Sequence, residues 1–184
     1  MNKHHPLVRS ATQLVAWLIP AAAIMNNTIA TSDIHNYVAG HLGEVFDTML
    51  SMKAVPGAAL EARFAGEHVS GSVGVAGQTV TGSVYLHLSS AFAGLATATM
   101  LGLPPEEVPA VPDINDVVAE MTNMIAGGLK SWLCDAGAGC VLTIPAVIRG
   151  TSFSIKPKPG VELIPIGFAC GETSGLVEVH IKFQ

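Results

Sequence analysis

Gly82-Ser-Val-Tyr-Leu-His-Leu88 can be laid over Gly175-Leu-Val-Glu-Val-His-Ile181 position by position, with glycine on glycine and His87 on His180. In the first copy Val84, Leu86 and Leu88 alternate with Tyr85 and His87, and in the second Val177, Val179 and Ile181 alternate with Glu178 and His180. A period of two marks a strand whose two faces meet different surroundings.

The residues before each copy follow one order. Ahead of the first, a helical pattern starts at Ser32 or Asp33, either a good N-cap, and runs to about Met52, with Pro56 and Gly57 ending it. Its apolar face is Ile34, Val38, Leu42, Val45, Phe46, Met49 and Leu50. The stretches LEARF (60–64) and GSVGVA (71–76), with a turn at Gly77-Gln78, then read as β. Ahead of the second copy, Asp113 caps a helix reaching about Leu133. The loop CDAGAGC (134–140) follows, and then the strand-like VLTIPAVIRG (141–150), TSFSIKP (151–157) and VELIPIGFA (161–169), before LVEVHIKF (176–183) closes the half. Between the halves lie a small-residue helix, SSAFAGLATATML (89–101), and the acidic, proline-rich linker PPEEVPAVPD (104–113). The expected fold class is α+β. Two αβ halves, related by a pseudo-two-fold repeat, share one mainly antiparallel sheet, with two long helices packed on one face.

Composition fits one core-rich domain. The chain has 184 residues, 49 % hydrophobic and 12 % charged, which excludes a disordered chain. Its formal charge of −5, with scattered Lys and Arg, speaks against a nucleic-acid surface. Cys134, Cys140 and Cys170 give no even disulfide framework, and the Cys134–Cys140 spacing matches no common zinc motif. Reduced thiols in a cytoplasmic protein are expected. His87 and His180 read as exposed or edge residues rather than metal ligands. No phosphate-binding glycine loop or nucleophile elbow is present.

Residues 1–31 form an N-terminal extension ahead of a domain spanning 32–184. Lys3, His4, His5 and Arg9 precede the apolar run LVAWLIPAAAIM, which is too short for a membrane span. A small residue, Ala30, follows, as in a secretory signal, but Pro20 interrupts the run. Met25 offers an alternative start. The extension reading is preferred to a cleaved signal, which would make the protein secreted.

One more pattern lies on the second long helix, DVVAEMTNMIAGG (116–128). Asp116, Glu120, Asn123 and Gly127 follow at spacings of 4, 3 and 4, which puts them on one stripe, while Val117, Val118, Met121 and Ile125 face a core. A Glu-x-x-Asn pair alone is a weak signal, and a solvated helix face is its plain reading. Three features add weight: the stripe's extension to Asp116 and Gly127, the downstream Pro145 and Gly150, and an altered stripe on the first helix, where Gly40, Glu44 and Asp47 stand at matching spacing.

The pattern Asp-x3-Glu-x2-Asn followed by a proline some twenty residues on resembles the signature of the CheC/CheX/FliY family of chemotaxis phosphatases. IPAVIRG, GSVYLHLSSAFAGLATATML and HLGEVFDTML also resemble segments of that family, so the likeness covers about residues 33–184. Pro145 comes 22 residues after Asn123, one short of the usual interval, and Asp47 stands where a second amide would be. One active ridge is therefore expected, as in the CheX branch.

The resemblance implies an enzyme that hydrolyses the aspartyl phosphate of a CheY-like response regulator. Asn123 would orient the attacking water and Glu120 would pair with the regulator's lysine. Asp116 and Gly127 would contact the partner. No cofactor is expected in this chain, and Mg2+ would arrive on the partner. A homodimer is allowed, while neither nucleic acid nor a membrane is expected as a partner. The alternative is a non-catalytic module that docks a response regulator or a flagellar-switch component.

Overall fold

The computed structural model describes residues 29–57, 66–104, 106–151 and 153–184. The N-terminal extension, apart from residues 29–31, and the LEARF stretch lie outside the described residues. Helix α1 (Thr31–Leu50) buries Ile34, Val38, Leu42, Val45, Phe46 and Leu50, as its periodicity requires. Its ends differ from expectation. Ala30 is the N-cap, and Asp33 acts from inside the first turn, where its carboxylate accepts the Ala30 N–H at 3.4 Å. The helix stops at Ser51, whose φ of 51° is left-handed, and Pro56 belongs instead to β1 (Ala54–Pro56).

Strands β2 (His68–Gly77) and β3 (Val80–Ser89) form a hairpin. Ser89 then caps α2 (Ser90–Leu101), its Oγ accepting the Phe92 N–H at 3.1 Å. Helix α3 (Val111–Asp135) starts earlier than Asp113, with Ala110 as N-cap and Pro112 in the first turn, where a missing N–H costs nothing. Asp113 is thus not the cap. It sits in the first turn, where its charge complements the helix dipole.

The stretch VLTIPAVIRG was expected as one strand and forms two, β4 (Cys140–Leu142) and β5 (Ala146–Gly150), both antiparallel to β2. Pro145 has no N–H for a ladder. Thr143 replaces the ladder there: its Oγ1 accepts the Gly74 N–H at 2.9 Å and its own N–H donates to the Gly74 carbonyl at 3.0 Å. TSFSIKP forms no strand among its described residues, and Phe153 stacks on the His68 ring at 4.1 Å instead. Strands β6 (Glu162–Cys170) and β7 (Thr173–Phe183) complete the sheet.

Among the described residues the sheet has seven strands in the order β1-β6-β7-β3-β2-β4, with β5 beside β4 on β2. The repeat is visible in this order, because β3 and β7 pair at the centre and each half's outer strands flank them. Tyr85 and Glu178, which match in the repeat, are also opposite one another in the ladder. Each half hands a strand to the other: β1 pairs with β6, while β4 and β5 pair with β2. The helix side of the sheet holds the core, where Phe46 meets Phe168 at 5.0 Å and Phe92 at 6.0 Å between ring centroids.

The opposite face corrects one expectation. His87 and His180 are neither exposed nor on edges; they lie on the two central strands at 7 % and 5 % exposure. Their Nε2 atoms converge on one oxygen of Glu178, at 3.4 and 3.3 Å, and His87 Nδ1 is hydrogen-bonded to Ser70 Oγ at 2.6 Å. Burial pushes the Glu178 carboxyl up, but the close approach of His87, helped by His180, outweighs it and holds the group below the usual range. No group of three or more side chains able to hold a metal assembles among the described residues.

Candidate active site

Helix α3 turns its apolar stripe to the core: Val117, Val118, Met121, Ile125 and Leu129 are all buried. The opposite stripe carries the residues singled out by spacing. Asp116 and Glu120 are exposed, and Asn123 and Gly127 are half-buried. The four form a ridge along the outer side of the helix, and neither Glu120 nor Asn123 has a side-chain hydrogen-bond partner among the described residues. The exposed Glu120 carboxylate faces outward, and the half-buried Asn123 carboxamide follows it one turn along the same stripe.

The ridge is held from three directions, none of which spacing alone revealed. Beneath it, Gly71 of β2 lets α3 lie almost on the sheet: a Cβ there would meet Thr122 Oγ1 at 1.9 Å and the Val118 carbonyl at 3.0 Å. The Thr122 hydroxyl meanwhile donates to the Val118 carbonyl at 2.6 Å, inside the helix.

At one flank α1 runs antiparallel to α3, with Tyr37 beside Trp132 and His41 beside Met124 and Gly128. His41 Nε2 bonds the Met124 carbonyl at 3.2 Å, and its Nδ1 lies 3.2 Å from Glu44. Its ring fills the space that a Gly128 side chain would need, since a Cβ there would come within 2.2 Å of it. The two glycines therefore differ. Gly128 is required by packing, whereas a Cβ on Gly127 would meet nothing within 4 Å.

At the amino end of the ridge, Arg149 of β5 donates from Nη2 to Asn115 Oδ1 at 3.1 Å and from Nη1 to Glu67 at 3.3 Å. Glu67 also accepts the Ser90 hydroxyl at 2.8 Å, so Arg149 ties α3 to the start of α2. No motif points to His41 or Arg149, because their partners are 83 and 34 residues away in sequence.

The altered stripe on α1 is also displayed outward, with Gly40, Glu44 and Asp47 all exposed. The two ridges are thus alike in position and differ in chemistry. The second carries an amide where the first carries a carboxylate. No helix among the described residues is long and apolar enough to cross a membrane.

Comparison with solved structures finds this fold elsewhere. The chemotaxis protein CheX of Vibrio vulnificus is 26 % identical, with a TM-score of 0.70 over 84 % of this chain and 100 % of that one. A CheC-like superfamily protein from Shewanella sp. PV-4 is 28 % identical, with a TM-score of 0.68 over 82 % of this chain and 97 % of that one. A CheX from Borrelia burgdorferi, solved as a complex with CheY, BeF3 and Mg2+, shares the fold at 24 % identity and a TM-score of 0.64, over 84 % and 99 % of the two chains. No curated protein matches by sequence. The family model for chemotaxis phosphatase CheX matches residues 69–169, from β2 through the ridge helix to the end of β6. With more than half of its length matched by that model and the fold of its described residues shared with CheX structures, this chain belongs to the CheX family.

Proposed function

We propose that the chain hydrolyses the aspartyl phosphate of a CheY-type response regulator, using the α3 ridge. The observation that carries this reading is the pairing of Glu120 with Asn123 on the outward side of a rigidly held helix, in a member of the CheX family. An acyl phosphate is intrinsically labile, so the catalyst has only to place a water in line and manage charge. A carboxamide suits that task. Its oxygen accepts a hydrogen bond from the water, its amide group donates, and it carries no charge to repel the phosphoryl oxygens. Attack by the water at phosphorus breaks the bond to the acyl oxygen and releases inorganic phosphate and a free aspartate.

In this reading Asn123 positions the water and Glu120 pairs with a lysine of the regulator. Asp116 docks the partner, and Gly127 permits its close approach. Mg2+ belongs to the regulator's own acidic site, and the partner is the phosphorylated receiver. Asp47 would set a negative charge beside the phosphoryl group, so the α1 ridge is inactive. The protein acts in the cytoplasm, where its partner resides, and a homodimer is compatible with one ridge per chain. The domain that does this work is residues 32–184.

The test follows the decay of a phosphorylated receiver domain, with Mg2+, in the presence of each variant. Wild type accelerates decay. Asn123→Ala loses about 100-fold of that acceleration, the scale expected when a reacting water is no longer held. Glu120→Ala weakens association by roughly 10-fold or more, as a lost charge-assisted hydrogen bond would. If wild type binds receivers and leaves every decay rate unchanged, the chain is a docking module and the enzymatic reading fails.

A further inference from the structure

The loop between α3 and β4 brings together two thiols that the phosphatase reading does not use. Cys134 lies in the last turn of α3 and Cys140 opens β4, with the five residues DAGAG between them. The loop doubles back through the Gly137 N–H donating to the Cys134 carbonyl at 3.0 Å and the Ala138 N–H donating to the Leu133 carbonyl at 2.8 Å. Gly137 takes a φ of 86°, the left-handed conformation that makes the reversal possible. As a result the Cys134 thiol reaches the backbone of Cys140, its Sγ donating to the Cys140 carbonyl at 3.8 Å. Both cysteines are free.

Their surroundings are unequal in a way that orders a reaction. Cys134 is half-buried and packed against the edge of the core, and is the less buried of the two. Cys140 is only 8 % exposed, so an external reagent reaches it poorly, whereas the Cys134 sulfur lies 3.8 Å from its carbonyl. Burial, then the neighbouring Cys134 thiol, push the Cys140 thiol up, which makes it a poor first nucleophile. The third cysteine, Cys170, is buried in β6, and burial pushes its thiol up.

We propose that Cys134 and Cys140 form a redox-active dithiol, a modification site whose co-substrate is a low-molecular-weight disulfide such as oxidised glutathione. The Cys134 thiolate attacks one glutathione sulfur, forming a protein–glutathione disulfide and expelling one glutathione thiolate. The Cys140 thiolate then attacks the Cys134 sulfur, the new protein disulfide forms, and the second glutathione leaves as thiolate. The protein dithiol loses two electrons and two protons, and the glutathione disulfide gains them. Cys134 also lies two helical turns, about 10 Å, beyond Gly127 along the same helix. An adduct left on Cys134 would stand at the end of the ridge helix, and the internal disulfide removes it.

The test incubates the full chain with oxidised glutathione, quenches with acid and measures intact mass and peptide maps. Wild type is expected to lose the mass of two hydrogens, with Cys134 joined to Cys140 and Cys170 reduced. Cys140→Ser is expected to gain the mass of one glutathione on Cys134 and keep it, which identifies the order of attack. Cys134→Ser is expected to stay unmodified over the same interval. Persistent glutathione on wild-type Cys134, a bridge to Cys170, or no modification of wild type would each overturn the proposal. A circular-dichroism spectrum of each serine variant excludes unfolding as the cause of any difference.

Discussion

Replacing Gly127 and Gly128 separately by alanine should push stability in opposite directions, although the two residues adjoin in one helix. Alanine in place of glycine inside a helix stabilises by about 0.8–1.0 kcal/mol, through chain entropy and helix propensity. At Gly127 nothing opposes that gain, because a Cβ would meet no atom within 4 Å. At Gly128 the same Cβ would come within 2.2 Å of the His41 ring. That ring has little freedom to retreat, since its Nε2 bonds the Met124 carbonyl and its face stacks on Tyr37 at 5.9 Å, with Tyr37 stacked in turn on Trp132. Forcing an extra methyl into such a contact costs roughly 1–3 kcal/mol. Set against the helix gain, Gly128→Ala should be neutral to about 2 kcal/mol destabilising, leaving the variants about 1–3 kcal/mol apart. Urea denaturation at neutral pH resolves this, and in a thermal melt it corresponds to about 2–4 °C per kcal/mol for a chain of this size. Repeating Gly128→Ala in a His41→Ala background supplies the control. With the ring gone the substitution should become stabilising by about 1 kcal/mol. Equal stability of the two single variants, or no rescue by His41→Ala, would refute the assignment of Gly128 to His41.

The remaining expectations concern other supports of the ridge and the opposite sheet face. Gly71→Ala should destabilise by about 2 kcal/mol or more, because its Cβ would strike Thr122 and the Val118 backbone. Chemical denaturation measures it, and a neutral result would show that α3 can lift off β2. Arg149→Met removes the hydrogen bond to Asn115 and the half-exposed pair with Glu67, and should cost roughly 1–2 kcal/mol after screening is discounted. Its signature is faster amide exchange in the first turns of α3, and unchanged protection there would count against the tie. Glu178→Gln tests the buried histidine pair. Because the folded carboxyl lies below its usual range, the stability it adds is complete above about pH 4.3 and is lost as pH falls through the folded value. Acid titration followed by fluorescence should therefore show wild type losing part of its advantage over Glu178→Gln below about pH 4, and an advantage independent of pH would contradict the sign. Asn123→Asp, which copies the residue at position 47, should abolish acceleration of receiver dephosphorylation while leaving the melting temperature within about 2 °C, since position 123 is only half-buried.

The repeat and the one-sided helix packing were legible in the sequence because both rest on periodicity, which local residues carry. Alternation in β3 and β7 and the apolar stripes of α1 and α3 each report their own buried face. The outward stripe of Asp116, Glu120, Asn123 and Gly127 was readable for the same reason. Features fixed by distant partners were not. The unequal demands on Gly127 and Gly128 depend on His41, and the tie at Asn115 depends on an arginine two elements away. His87 and His180 looked like surface residues because alternation distinguishes two faces without saying how deeply each residue is buried. Helix starts were misjudged because Ala30 and Ala110 take the cap positions with no side chain to announce it. The break between β4 and β5 was foreshadowed only by Pro145, which sits in an otherwise strand-like run.

The exchange of outer strands between the halves governs what happens when the linker around residues 104–110 is cut. Neither fragment can complete a sheet, because β2 of the first loses β4 and β5, and β6 of the second loses β1. Each fragment then presents raw edges whose hydrogen-bonding match exists on the other piece. The halves are therefore expected to melt together, and a chain nicked in the linker to stay assembled through these pairings rather than part into two small domains.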